Sequence, residues 1–72
     1  MKSVTITIKD AQVREVFQKS LIENGSEEEF RRANSTDWYM NYPDEVEFED
    51  ARSEVEQFMF SLGFIEGKDY EF

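Results

Sequence analysis

The segment Lys2-Ser3-Val4-Thr5-Ile6-Thr7-Ile8-Lys9 alternates strictly between polar and apolar residues. In an extended chain Val4, Ile6 and Ile8 share one face, and Ser3, Thr5 and Thr7 share the other. Every interior position is β-branched or small, so the pattern predicts a half-buried strand. Such a strand constrains everything after it. Its apolar face needs a covering layer and its edges need partner strands, because isolated strand pairs are marginal in water.

The covering layer is easy to find. Asp10 stands as a helix N-cap before Ala11 to Ile22, where Val13, Val16, Phe17, Ser20 and Leu21 follow helical spacing. Asn24-Gly25 supplies a left-handed stop. Ser26-Glu27-Glu28-Glu29 has the capping-box pattern and predicts a short extra helix through Phe30, Arg31, Arg32 and Ala33. Trp38-Tyr39-Met40-Asn41-Tyr42 is rich in strand-favouring aromatics, with Trp38, Met40 and Tyr42 inward and Tyr39 and Asn41 outward. Pro43-Asp44 fits the centre of a type I turn. Glu45 to Glu49 alternates again, with Val46 and Phe48 opposite three glutamates, and predicts the second arm of a hairpin. The competing reading is a helix from soon after Pro43 unbroken to Leu62, against which Val46 and Phe48, two apart, do not share one narrow helical stripe.

Asp50 is the expected cap of a helix Ala51 to Leu62, with Ala51, Val55, Phe58, Met59 and Leu62 on its apolar stripe and Gly63 as its stop. Phe64 and Ile65 are expected under the sheet, Gly67-Lys68 in a turn, and Asp69 to Phe72 in a last strand. The order β-α-(short α)-β-β-α-β predicts one α+β domain over residues 1–72. It is of the ferredoxin-like βαββαβ type, with a four-stranded antiparallel sheet and two main helices on one face. The first and third strands would run parallel at its centre.

A 72-residue chain has little core to spare, and with neither Cys nor His it has no disulfide or zinc to compensate. Seven Phe, three Tyr and Trp38 must provide the core. That aromatic content also argues against disorder. No apolar run reaches the length of a membrane span and no hydrophobic leader follows Met1, so a soluble, cytoplasmic protein is expected.

The missing residue types also narrow the chemistry. Without His or Cys the commonest acid–base and nucleophilic groups are absent, and none of the six serines lies in a G-x-S-x-G or S-x-x-K context. The expectation is no enzyme, no cofactor and no metal: transition metals lack imidazole and thiolate ligands, and Asp44 to Asp50 lacks EF-hand spacing. RNA-recognition domains share the expected topology but present aromatics on the sheet, where this chain would present Glu45, Glu47 and Glu49.

Charge is the remaining signal. Net charge is −9, and it is uneven: residues 1–20 hold four basic residues against two acidic, and residues 21–72 hold four against fifteen. Asp44 to Glu56 alone contains seven carboxylates and one Arg52. On an extended strand Glu45, Glu47 and Glu49 would form a row spaced by roughly 6.6 Å, continued by Asp44, Asp50, Glu54 and Glu56. Tyr39 would stand beside it as an aromatic anchor. A field of this sign repels nucleic acid and anionic membranes and steers toward basic protein surfaces. Small size, strong negative charge and absent catalytic groups resemble, in composition, phage-encoded inhibitors of restriction, repair or CRISPR machinery. That resemblance implies a DNA mimic on a nucleic-acid-handling protein. The alternative is a structural or regulatory interaction module, a homodimer through an edge strand with Trp38, Tyr39, Phe60 and Phe64 as its grip.

Overall fold

The computed structural model describes residues 1–72 and contains three strands and two helices. They follow in the order β1 (Lys2–Thr7), α1 (Ala11–Glu23), β2 (Phe30–Arg32), β3 (Asp37–Tyr42) and α2 (Phe48–Ser61). The sheet order is β1-β3-β2, antiparallel throughout. The architecture is a small α+β domain; the expected fourth strand, parallel central pair and ferredoxin-like order are not confirmed.

Cross-strand register decides which side chains share a face. Val4 opposes Met40 and Ile6 opposes Trp38, while Phe30 opposes Met40 from the other side. Val4, Ile6, Phe30 and Trp38 are all buried on that face. Both helices lie on it: α1 contributes Phe17 and Leu21, and α2 contributes Ala51, Val55 and Met59. Phe17 is the hub, with edge-to-face contacts to Trp38 at 5.3 Å, Phe30 at 5.6 Å and Phe64 at 5.9 Å between ring centroids. This geometry suits the ring quadrupole and adds to the area buried. The opposite sheet face carries Ser3, Thr5, Thr7, Tyr39, Asn41 and Arg31, and no helix packs over it.

Both helices end alike. Gly25 (φ 68°) and Gly63 (φ 90°) take the left-handed conformation just past each C-cap. Ser26 N donates to Leu21 O at 2.8 Å, and Phe64 N to Met59 O at 3.0 Å, the long closing bonds of Schellman motifs. The starts differ. Asp10 accepts from the backbone N–H of Gln12 (2.8 Å) and Val13 (3.2 Å), as expected. Asp50 is not the cap of α2; Glu47 occupies that position and makes no side-chain cap bond.

Three segments depart from the sequence expectation. The short helix after Ser26 does not form: its carbonyl accepts from Glu29 and Phe30 in a single turn, and Phe30–Arg32 becomes strand β2. Ser26 N is already committed to closing α1, so the reciprocal bond of a capping box has no donor. Thus the hairpin partner of β3 precedes it rather than follows it. Glu45 to Glu49 is not a strand. Pro43 is the first residue of the turn rather than its second, with Val46 N donating to Pro43 O at 3.1 Å, and α2 begins at Phe48. Helix geometry spreads these acids and places Glu49 and Asp50 in the first turn, where the helix dipole favours them. Val46 stays half-buried against the core, but Phe48 is exposed. Finally, Asp69 to Phe72 pairs with β1 only through a reciprocal Thr7–Glu71 bridge (2.7 and 2.9 Å). Phe64 is buried as expected, whereas Ile65 and Val16 are exposed.

Candidate functional site

The acidic residues after β3 are carried by a turn and a helix. At about 100° per residue, Asp50 and Glu54 fall on one flank of α2 and Glu49 and Glu56 on the other. The buried stripe of Ala51, Val55 and Met59 runs between those flanks and holds the helix to the sheet. Asp44 lies in the turn and pairs with the Met1 ammonium at 2.6 Å. Glu45 and Glu47 are exposed in the connection.

Each flank acquires partners that the sequence reading missed. Beside Glu54, the turn before β2 contributes Glu28 and Glu29, which line one depression together with Tyr42, Met40 and Phe58. Burial pushes the Tyr42 phenol above its ordinary value, and the negative charges of Glu54 and Glu29 add to it. On the other flank Glu56 meets Glu66 from the segment after α2. The Glu66 carboxyl is held above its ordinary value by a hydrogen bond shared with Glu56, then by desolvation and by Glu56's charge, with Arg52 opposing. No periodicity signals either meeting, because both depend on how distant turns pack beside α2.

Tyr39 does not join this surface. Its register neighbours are Thr5 and Arg31, on the sheet face that no helix covers, whereas α2 packs on the opposite face. The acidic cluster and the expected aromatic anchor are therefore on different sides of the molecule. The exposed aromatics near the carboxylates are Phe48 and Phe60 instead.

Basic residues do little to neutralise the acids. Arg52 reaches Glu66 at 3.8 Å and Lys9 reaches Glu71 at 3.5 Å, both exposed. Lys2, Arg14 and Arg32 donate to backbone carbonyls: Val46 O; Ile8 O and Lys9 O; Asn34 O and Ser35 O. Arg32 also lies 5.2 Å from the Trp38 ring centroid. Only three of the seventeen carboxylates, those of Asp44, Glu66 and Glu71, have a cationic partner within 4.0 Å. No cluster of three or more acidic side chains has the geometry of a metal site, and no helix is long and apolar enough to cross a membrane. Comparison with protein-family models, with curated proteins and with solved structures finds no match.

Proposed function

We propose that this chain is a small, acidic, non-catalytic binding protein that acts as an inhibitor or decoy. It occupies a basic, cytoplasmic, nucleic-acid-handling protein in place of the phosphate backbone, as phage anti-defence proteins of the nucleic-acid-mimic type do. The observation that carries the reading is the unneutralised carboxylate surface on both flanks of α2, an element pinned to the core. Anchored charge favours such binding because little ordering is needed on association, and an Arg/Lys groove would offset the repulsion among the acids.

Affinity capture from the host at low and high salt, followed by competition with duplex DNA, tests it. The wild type should hold a basic partner at low salt, release it at high salt, and compete with duplex. A variant carrying Glu49→Lys, Asp50→Lys, Glu54→Lys and Glu56→Lys, with unchanged circular dichroism, should lose both properties. Retention of competition by that variant would overturn the reading.

The alternative, self-association through an edge strand and exposed aromatics, draws on the free edge of β2 and on Phe60, which is 76% exposed. Sedimentation separates the two: a salt-insensitive dimer supports the alternative, and a monomer at all concentrations removes it.

A further inference from the structure

Phe60 has no structural task. It lies off the buried stripe of α2, is 76% exposed, and stands beside Ile65, itself 53% exposed. Isolated apolar residues on a surface are ordinary, but these two border a single groove of about 390 Å³ whose floor includes Phe64 and Tyr70. Glu56 and Glu66 stand at its rim. Apolar walls with converging polar groups are the usual make-up of a binding cleft. The rim here is of one sign.

The rim is also short of positive charge. Two carboxylates face one cation, Arg52, whose nearest approach to Glu66 is 3.8 Å. The Glu66 carboxyl is held above its ordinary value first by its hydrogen bond with Glu56, then by desolvation and by the Glu56 charge, so the crowding of the pair favours protonation. A second cation would relieve it without that protonation. The chain already shows a guanidinium held in the required way: Arg52 lies 4.6 Å from the Phe72 ring centroid while its end reaches Glu66. Phe60, one turn beyond Glu56 and two beyond Arg52 along α2, offers a second, exposed ring.

We propose that this groove receives an arginine of a basic partner protein, its guanidinium stacked on the Phe60 ring with its N–H groups toward Glu56 and Glu66, and its aliphatic stem against Ile65. Arginine is favoured over lysine because its planar head stacks on rings and forks onto carboxylates, which an ammonium does not do. The assignment rests on the acidic surface being a protein-binding surface. It adds a specific contact to what charge alone would give.

The test is an NMR titration with an acetylated, amidated peptide of core Leu-Arg-Arg-Leu, run beside the same peptide with citrulline in place of arginine. Backbone and methyl shifts should centre on Gln57, Phe60, Ile65 and Glu66, and the citrulline peptide should produce none of them. Phe60→Ala and Glu66→Gln should each weaken the arginine peptide about tenfold, whereas Glu54→Gln on the other flank should change it by less than about twofold. Equal losses for Glu54→Gln and Glu66→Gln, or no loss for Phe60→Ala, would show attraction by net charge only and overturn the groove. Shifts confined to Asp44–Glu54 would overturn the groove while leaving the decoy reading intact. Groove shifts that grow with protein concentration in the absence of peptide would assign it to a second copy instead. Loss of duplex competition in the capture experiment, with the groove still binding peptide, would overturn the decoy reading alone.

Discussion

The two helices cover the same sheet face and close with the same glycine motif, yet they turn different surfaces to solvent. Helix α1 has balanced charge outside, with Arg14 and Lys19 against Glu15 and Glu23. Helix α2 carries Glu49, Asp50, Glu54 and Glu56 against Arg52. Holding the core requires only the buried stripe, and α1 shows that a balanced exterior suffices for it. Glu49 and Asp50 favour the start of α2 through its dipole, but Glu54 and Glu56 are additional to folding, and like charges one turn apart, as at Asp50 and Glu54, are mildly destabilising.

The largest expected contrast uses one residue type on the two helices. Phe17→Ala removes the hub of the aromatic core and should cost about 3–5 kcal/mol, enough to unfold a domain this small. Phe60→Ala should change stability by less than about 0.5 kcal/mol. Thermal and urea melts of both variants check the pair. Similar losses would mean that α2 owes its hold to its outer face, and the comparison would break.

A second contrast lies beneath the acidic flank. Burial, reinforced by the charges of Glu56 and Glu66, pushes the Tyr70 phenol up from 10.0 to about 12. A raised folded-state value means the folded protein keeps a proton that the unfolded chain loses. Stability from this group is therefore complete below pH 10 and falls as pH rises through about 12, by on the order of 1 kcal/mol once solvent screening of the phenol is allowed for. Tyr70→Phe should be close to wild type at neutral pH and should flatten that alkaline decline. Denaturant titrations across the alkaline range show whether it does.

The helix starts sharpen the comparison further. Asp10→Ala removes a working cap and should cost about 1 kcal/mol. Glu47→Ala removes none and should be neutral within a few tenths of a kcal/mol. Acid pH adds a contrast at Asp37, whose carboxylate is held below its ordinary value by hydrogen bonds from Asn34 and Thr7, with a further one from Thr36 and burial opposing. A depressed folded-state value gives stability that is present above the ordinary carboxylate range and lost as pH falls through the depressed one. Asp37→Asn should remove that part of the acid-side slope, which melts between neutral and acidic pH would reveal.

Much of the core was legible because its periodicity is unambiguous. Val4 and Ile6 follow period two, Phe17 and Leu21 follow helical spacing, and so do Ala51, Val55 and Met59; all of them are buried where the pattern places them. The unread parts lie where two local patterns compete. Ser26 to Glu29 has a helix-start signature, but Ser26 N closes α1, and Phe30 is buried as a strand residue opposite Met40. Val46 and Phe48 alternate like a strand, but the turn from Pro43 and the dipole of α2 prevail, and Phe48 remains exposed. The candidate surface was legible as charge and illegible as shape. Glu28, Glu29 and Glu66 join it from distant turns, and Tyr39 leaves it because β3 is central and its alternate residues face away from α2.

The central claim is that α2 carries charge for a partner rather than for its own fold. The most direct measurement is the affinity of the captured partner across a salt series, for the wild type and for the variant with lysine at Glu49, Asp50, Glu54 and Glu56. The account predicts tight wild-type binding at low salt that weakens steeply as salt rises. It also predicts a folded variant that binds weakly at every salt concentration. Equal affinities and equal salt dependence for the two proteins would contradict it.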